Sequence, residues 1–163
     1  MLSGWHDDSW GTRMRFRREN AMTLIETMLV LAVLAILIAM MVPAYTSYID
    51  NMNNKLAMRD IAEISMKVER FVTLNVVPPE TLADINEARP DPWGNPYEFV
   101  NIVTATGNGG LRKDRNLVPI NSDYDLYSRG KDGQTTGPIN APKSRDDIIR
   151  ANSGGFIGLA EDY

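Results

Sequence analysis

The stretch that decides the fold is RRENAMTLIETMLVLAVLAILIAMMVPAYTSYID, Arg17–Asp50. From Thr27 to Ile49 it carries no charge. As a helix rising about 1.5 Å per residue that span reaches roughly 35 Å, against a hydrocarbon core of about 30 Å, so it is long enough to cross a membrane. Arg13, Arg15, Arg17 and Arg18 stand on its amino-terminal side and Asp50 is the first charge after it. The positive-inside tendency then puts the amino terminus in the cytoplasm and everything beyond Asp50 outside. A cleaved secretory signal fits poorly, because such apolar runs are shorter, about 7–15 residues, and end in a small-x-small site. Val42-Pro43-Ala44-Tyr45 is not one. A plain anchor accounts for the length but not for Glu26, a carboxylate in the first turns of the run. At mid-helix an acid costs about 2.5–3.5 kcal/mol on insertion scales. Near the end a snorkelling side chain costs less; the other reading is a cationic partner. The run has no Lys or Arg to serve, but a new α-amino group on a neighbouring copy would, and cleavage between Ala21 and Met22 would create one.

Beyond Pro43, Ile49, Met52, Leu56, Ile61, Ile64, Val68, Phe71 and Val72 recur at helical spacing, while Lys55, Arg59, Glu63 and Lys67 fill the other sides. NVVPPE (75–80) ends the helix, because proline cannot continue it and restrains the residue before it. Pro43 itself lacks an amide hydrogen, so the helical bond to the Ala39 carbonyl cannot form. The first half can pack in lipid or against copies of itself, and the second half is built to lie on a core.

Totals narrow the function. The chain has 163 residues, 21 acidic and 17 basic, with no cysteine and one histidine, His6. Disulfides, thiolate nucleophiles, His-dependent triads and the HExxH zinc helix are therefore excluded from the body of the protein. With the densest basic cluster ahead of the apolar run, the remainder is more acidic, which argues against a nucleic-acid binder.

The last 90 or so residues make a small core only if the amphipathic helix supplies one wall. PYEFVNIVTAT (96–106) reads as a strand with GNGG (107–110) as its turn. DYDLYS (123–128) reads as a second strand and GGFIGLA (154–160) as a third. The expected fold is α+β: a long amino-terminal helix, transmembrane then amphipathic, packed on an antiparallel sheet of two or three strands. PDPWGNPYEFV (90–100) is dense in turn formers around Trp93 and reads as a tight turn with a buried indole. Asp123 and Asp125 read as exposed or turn-linked acids. SRGKDGQTTGPINAPKSRDDIIRA (128–151) reads as a long loop, which needs a reason to be ordered. Asp132 in a Gly-x-x-Gly turn and the Asp146-Asp147 pair offer oxygens to a hard cation. The spacing is not that of an EF-hand. Asp132-Gly133 as a simple turn, and Asp146 as the cap of a terminal helix, remain open.

AMTLIE followed by the long apolar run resembles the class III signal of type IV pilin-like proteins. DPWGNPYEF followed by DYDLYSRGKDG resembles, within that superfamily, the major (type G) pseudopilins of type II secretion. The likeness covers nearly all of the chain after Ala21. It implies a leader at 1–21, cut by a prepilin peptidase that methylates the new terminus at Met22. A transmembrane and assembly helix at 22–49 would follow, with Glu26 and Pro43 serving assembly. Its amphipathic continuation would occupy 50–75 and a periplasmic globular domain 76–163. These proteins nearly always have Gly before the cut; Ala21 departs from that while keeping the small size, so cleavage is expected. The resemblance also implies calcium in the carboxy-terminal loop, with side chains from Asp132, Asp146 and Asp147 and the Arg129 carbonyl. Its members usually carry an acid- and glycine-rich insert there, whereas this chain has TTGPINAPKSR. No catalytic residue is expected. The implied role is a homopolymer in the inner membrane or periplasm, working with minor pseudopilins and an assembly platform driven by a cytoplasmic ATPase. A surface type IV pilus subunit and a monomeric tethered binding domain are the rival readings.

Overall fold

A computed structural model describes residues 22–107 and 109–163. Helix α1 runs from Leu24 to Asn75, and the chain divides into one unit up to Val42 and a second from Pro43 to Tyr163. In the first unit α1 is long and apolar enough to cross a membrane. Every described residue there, Met22 to Val42, is exposed.

In the second unit α1 has a buried stripe at Ala57, Ile61, Ile64 and Val68, each with no exposed surface. The steps of four, three and four residues keep one face toward the sheet. The stripe begins at Ala57; Ile49, Met52 and Leu56 are all more than a third exposed. One residue turns a helix by about 100°, so Leu56 points away from the face that Ala57 presents. The helix stops at Asn75, ahead of Pro78 and Pro79.

Strands β1 (Glu98–Asn101), β2 (Tyr124–Ser128), β3 (Ile148–Ala151) and β4 (Phe156–Leu159) form one sheet in the order β1-β2-β3-β4. All three pairings are antiparallel, with Phe99 opposite Leu126, Tyr127 opposite Ile149 and Ile149 opposite Gly158. The α+β class holds, with four strands instead of two or three. The additional strand, β3, lies where the sequence suggested a loop or the start of a terminal helix. Its physical signature is masked: Ile148 packs with the α1 stripe, Ile149 packs in a second cluster, and both are fully buried. A strand covered on both faces loses the alternation that marks a half-buried one. The first expected strand is also shortened, since β1 ends at Asn101. Of the GNGG stretch, Asn108 lies outside the described residues.

Central strand β2 is buried at all five positions. Tyr124 and Leu126 join the α1 stripe, together with Tyr97 and Leu82. Tyr127 joins Ile120, Ile139, Ile149, Ala151 and Ala160 on the other side. The sheet is thus covered by α1 on one face and by its own long connections on the other. Each fully buried aliphatic side chain contributes about 1.5–3 kcal/mol of transfer free energy.

DPWGNP is a brace as well as a turn. Buried Asp91 accepts through Oδ1 from the amides of Trp93 (3.0 Å) and Asn95 (2.8 Å). Through Oδ2 it accepts from the hydroxyl of Ser128 at 2.5 Å. Trp93 is half-buried and packs against the α1 cluster. The short acidic side chain therefore closes the turn and ties it to the end of β2.

Candidate functional site

The start of α1 is closed by its own residues. Thr23 precedes the first helical residue, and the Glu26 amide donates to Thr23 Oγ1 at 3.3 Å. In return the Thr23 amide and hydroxyl donate to Glu26 Oε2 at 3.2 and 3.3 Å. This is a capping box, the S/T-x-x-E pattern that satisfies two otherwise unpaired donors at a helix start. Thr23-Leu24-Ile25-Glu26 carries that pattern in the sequence. The sequence reading weighed snorkelling and an intermolecular partner, and the local cap is the role it missed. The carboxylate also sits at the positive end of the helix dipole. Met22, the expected first mature residue, is 64% exposed. Ala21, the arginines and the whole expected leader lie outside the described residues.

Pro43 lies inside α1, which continues through it. Its carbonyl accepts from the hydroxyls of Thr46 and Ser47, each at 3.0 Å. Side-chain bonding back to a carbonyl three or four residues earlier competes with the helical ladder and favours local bending.

In the carboxy-terminal loop the three acidic side chains named for calcium are not gathered at one point. Asp132 and Asp146 come together: the Asp132 amide donates to Asp146 Oδ2 at 3.0 Å. Asp132 Oδ1 is taken by the Gln134 amide at 2.7 Å, a turn of its own. The Arg129 side chain pairs with Glu98. Asp147 is turned elsewhere and fully buried, with Oδ2 held by Arg112 Nη2 at 2.5 Å and by the Thr135 hydroxyl at 2.6 Å. Among the described residues no three His, Asp or Glu side chains gather in one place. A calcium ion takes six to eight oxygens, and here one expected ligand already neutralises a guanidinium. Its second oxygen, Asp147 Oδ1, is buried and has no hydrogen-bond partner. Asp146 lies in the turn that follows Ser144, and Asp147 is the residue just before β3. Asp146 caps no helix.

Two buried arginines order this region. Arg112 lies over the Tyr127 ring at 4.3 Å and Arg150 over the Tyr124 ring at 3.9 Å. Arg150 holds Asp123 with Nη1 at 2.9 Å and Nη2 at 2.7 Å. Asp125, expected to be exposed or turn-linked, is fully buried in β2 and accepts from the Arg112 amide (2.7 Å) and Asn121 Nδ2 (2.8 Å). Burial pushes the Asp147 carboxyl up to about 6, against the Thr135 hydroxyl and the Arg112 charge. For Asp123 burial acts the same way, but the Arg150 hydrogen bonds, the Tyr124 amide and the Arg150 charge outweigh it, leaving the carboxyl below its ordinary value. Gly130, at φ +63°, sits where β2 ends against the Asp146 backbone. A Cβ there would lie 2.2 Å from the Asp146 carbonyl oxygen, so only glycine passes.

Residues 16–42 match the prokaryotic N-terminal methylation motif. The chain is also 29% identical over 149 residues to the type II secretion system core protein G of Pseudomonas aeruginosa, covering 78% of this chain and 94% of that protein. No solved structure matches. Motif and relative together support a member of the type IV pilin family. Within that family they support a type G pseudopilin.

Proposed function

We propose that this chain is the major structural subunit of a helical pilin-like filament that acts in type II protein secretion across the outer membrane. The observation that carries the reading is a helix start, apolar and exposed to Val42, that bears Glu26 at its third helical position and matches the methylation motif. Similarity to core protein G supplies the secretion context. On this reading a prepilin peptidase cuts between Ala21 and Met22 and methylates Met22. The precursor waits in the inner membrane with its amino terminus cytoplasmic and its globular domain periplasmic. The subunit then packs by α1 into a homopolymer. Minor pseudopilins and an inner-membrane platform with its cytoplasmic ATPase are the proposed partners, and the role is structural, with no catalytic residue.

The cap suggests how Glu26 acts in turn. Before assembly its carboxylate is held by Thr23 through long bonds of 3.2 and 3.3 Å. Cleavage would place an ammonium at the positive end of the helix dipole, where a cation is unfavourable. A neighbouring subunit's Glu26 relieves that charge in a medium of low dielectric, where an ion pair is strong. Register between subunits follows from the match.

The experiment replaces Glu26 by Gln, which keeps a capping side chain at the third position and removes the charge. Subunit cross-linking and electron microscopy of filaments read the outcome, and mass spectrometry reads the mature terminus. The expected result is a methylated Met22 in both proteins and filaments from the parent alone. Filaments from E26Q at the parental level would overturn the ion-pair role, and an intact leader on the parent would overturn the processing pathway.

A further inference from the structure

We propose that Arg112 is a built-in cation that locks the carboxy-terminal loop through Asp147, one of the residues for which the resemblance implied calcium. The loop connecting β2 to β3 has almost no regular structure, with only a short turn of 3-10 helix at Pro142–Ser144. It nevertheless closes over one face of the sheet, with Ile139 in the second cluster. What converges inside it is an oxygen cage around one guanidinium. Arg112 Nη1 donates to Thr135 Oγ1 at 2.5 Å and to the Thr136 carbonyl at 2.7 Å. Arg112 Nη2 donates to Asp147 Oδ2 at 2.5 Å. A hydroxyl, a backbone carbonyl and a carboxylate are the kinds of oxygen that a hard cation would collect.

The guanidinium does the same work with fixed geometry. It is planar, permanently charged and weakly hydrated, so it can be buried against a carboxylate where an ammonium cannot be held as well. Arg112 is only 2% exposed and its partner Asp147 is fully buried. The Tyr127 ring covers it from below, and the Arg112 amide is fixed to Asp125. Residues 112, 135, 136 and 147 come from three separate segments, so one side chain joins the stretch before β2 to the interior of the loop and to its β3 end. Removing the cation leaves Asp147 as a buried, unpaired charge, a strongly destabilising arrangement. The proposal is independent of filament assembly, because all of its groups belong to the unit from Pro43 to Tyr163.

The test uses the full chain in detergent micelles, with thermal melting and amide hydrogen exchange measured in EGTA and in millimolar calcium. The parent should give superimposable melting curves in the two buffers. Arg112→Met should lower Tm by on the order of 10 °C and speed exchange across residues 131–147 first. Arg112→Lys, which keeps the charge but loses the fork, should fall between the two. Should Arg112→Met fail to fold, the parent comparison and Arg112→Lys still decide the matter. A parent whose Tm rises several degrees with calcium, with the gain lost in Asp132→Asn, would overturn the proposal in favour of a metal lock. So would an Arg112→Met or Arg112→Lys protein that melts and exchanges as the parent does.

Discussion

Leu24–Val42 and Pro43–Asn75 belong to the same helix but satisfy their side chains in different ways. In the second stretch Ala57, Ile61, Ile64 and Val68 are removed from water by Tyr97, Tyr124, Leu126 and Ile148 of the same chain. In the first stretch Leu29, Leu34, Ile36 and Ile38 are between 48% and 65% exposed, with no cover from their own unit. Backbone hydrogen bonds are made locally in both, so helix formation alone does not distinguish them. What differs is where the apolar surface goes. A contiguous apolar surface of this size needs a lipid bilayer or further copies of itself. One stretch is completed by intramolecular packing and the other only by its surroundings.

Breaking the packed half should have the largest effect. Ile64→Ala removes a side chain with no exposed surface and is expected to cost about 2–5 kcal/mol, seen as a lower Tm of the full chain in detergent. Leu34→Ala, at a position 48% exposed in the other half, should leave that melting transition unmoved. Equal losses at the two positions would mean that the halves are not distinct.

The pH dependence sharpens the contrast, because it should come from the packed half's unit. Asp147 has a folded-state value near 6, above its ordinary 3.8, so the fold binds its proton more tightly than the unfolded chain does. Its contribution is greatest when protonated and is lost as pH rises from about 4 to about 6. Asp123 is shifted the other way, so its contribution is present above its ordinary value and is lost as pH falls through its lowered folded one. Melting between pH 2 and pH 7 should show both limbs. Asp147→Asn should reduce the upper limb, to which buried Asp125 also contributes, and Asp123→Asn should reduce the lower, to which Glu63 also contributes.

The smallest effect is expected where α1 is held only by an exposed ion pair. Lys131 Nζ lies 2.7 Å from Asp50 Oδ2, with Lys131 61% exposed. Lys131→Ala should change stability by under about 1 kcal/mol, and the change should shrink further in high salt. A loss as large as that of Ile64→Ala would show that this charge pair, and not the apolar stripe, holds the helix.

How much of this was legible depends on the distance over which each feature is encoded. The carboxylate at Glu26 stands out from the apolar run by itself, and its cap is spelled out by Thr23 three residues earlier. The end of α1 is announced by Pro78 and Pro79. The fate of the acidic residues was less visible. Asp123, Asp125 and Asp147 look like surface or ligand carboxylates in a chain with few landmarks, yet each is answered by a donor far away in sequence. Asp147 and Arg112 are 35 residues apart, and Asp123 and Arg150 are 27 apart. β3 escaped because burial of both Ile148 and Ile149 erased its period, and a sheet covered on both sides is a property of the assembled fold.

The amino-acid order alone determined the long apolar helix, its acid, its cap and its stop, since hydropathy, spacing and local hydrogen bonding act within a few residues. Only the tertiary structure decided that Asp146 and Asp147 part company, that the sheet has a fourth strand, and that an arginine occupies the centre of the carboxy-terminal loop. Those outcomes depend on strand register and on which segments meet, which are settled by packing the whole unit at once.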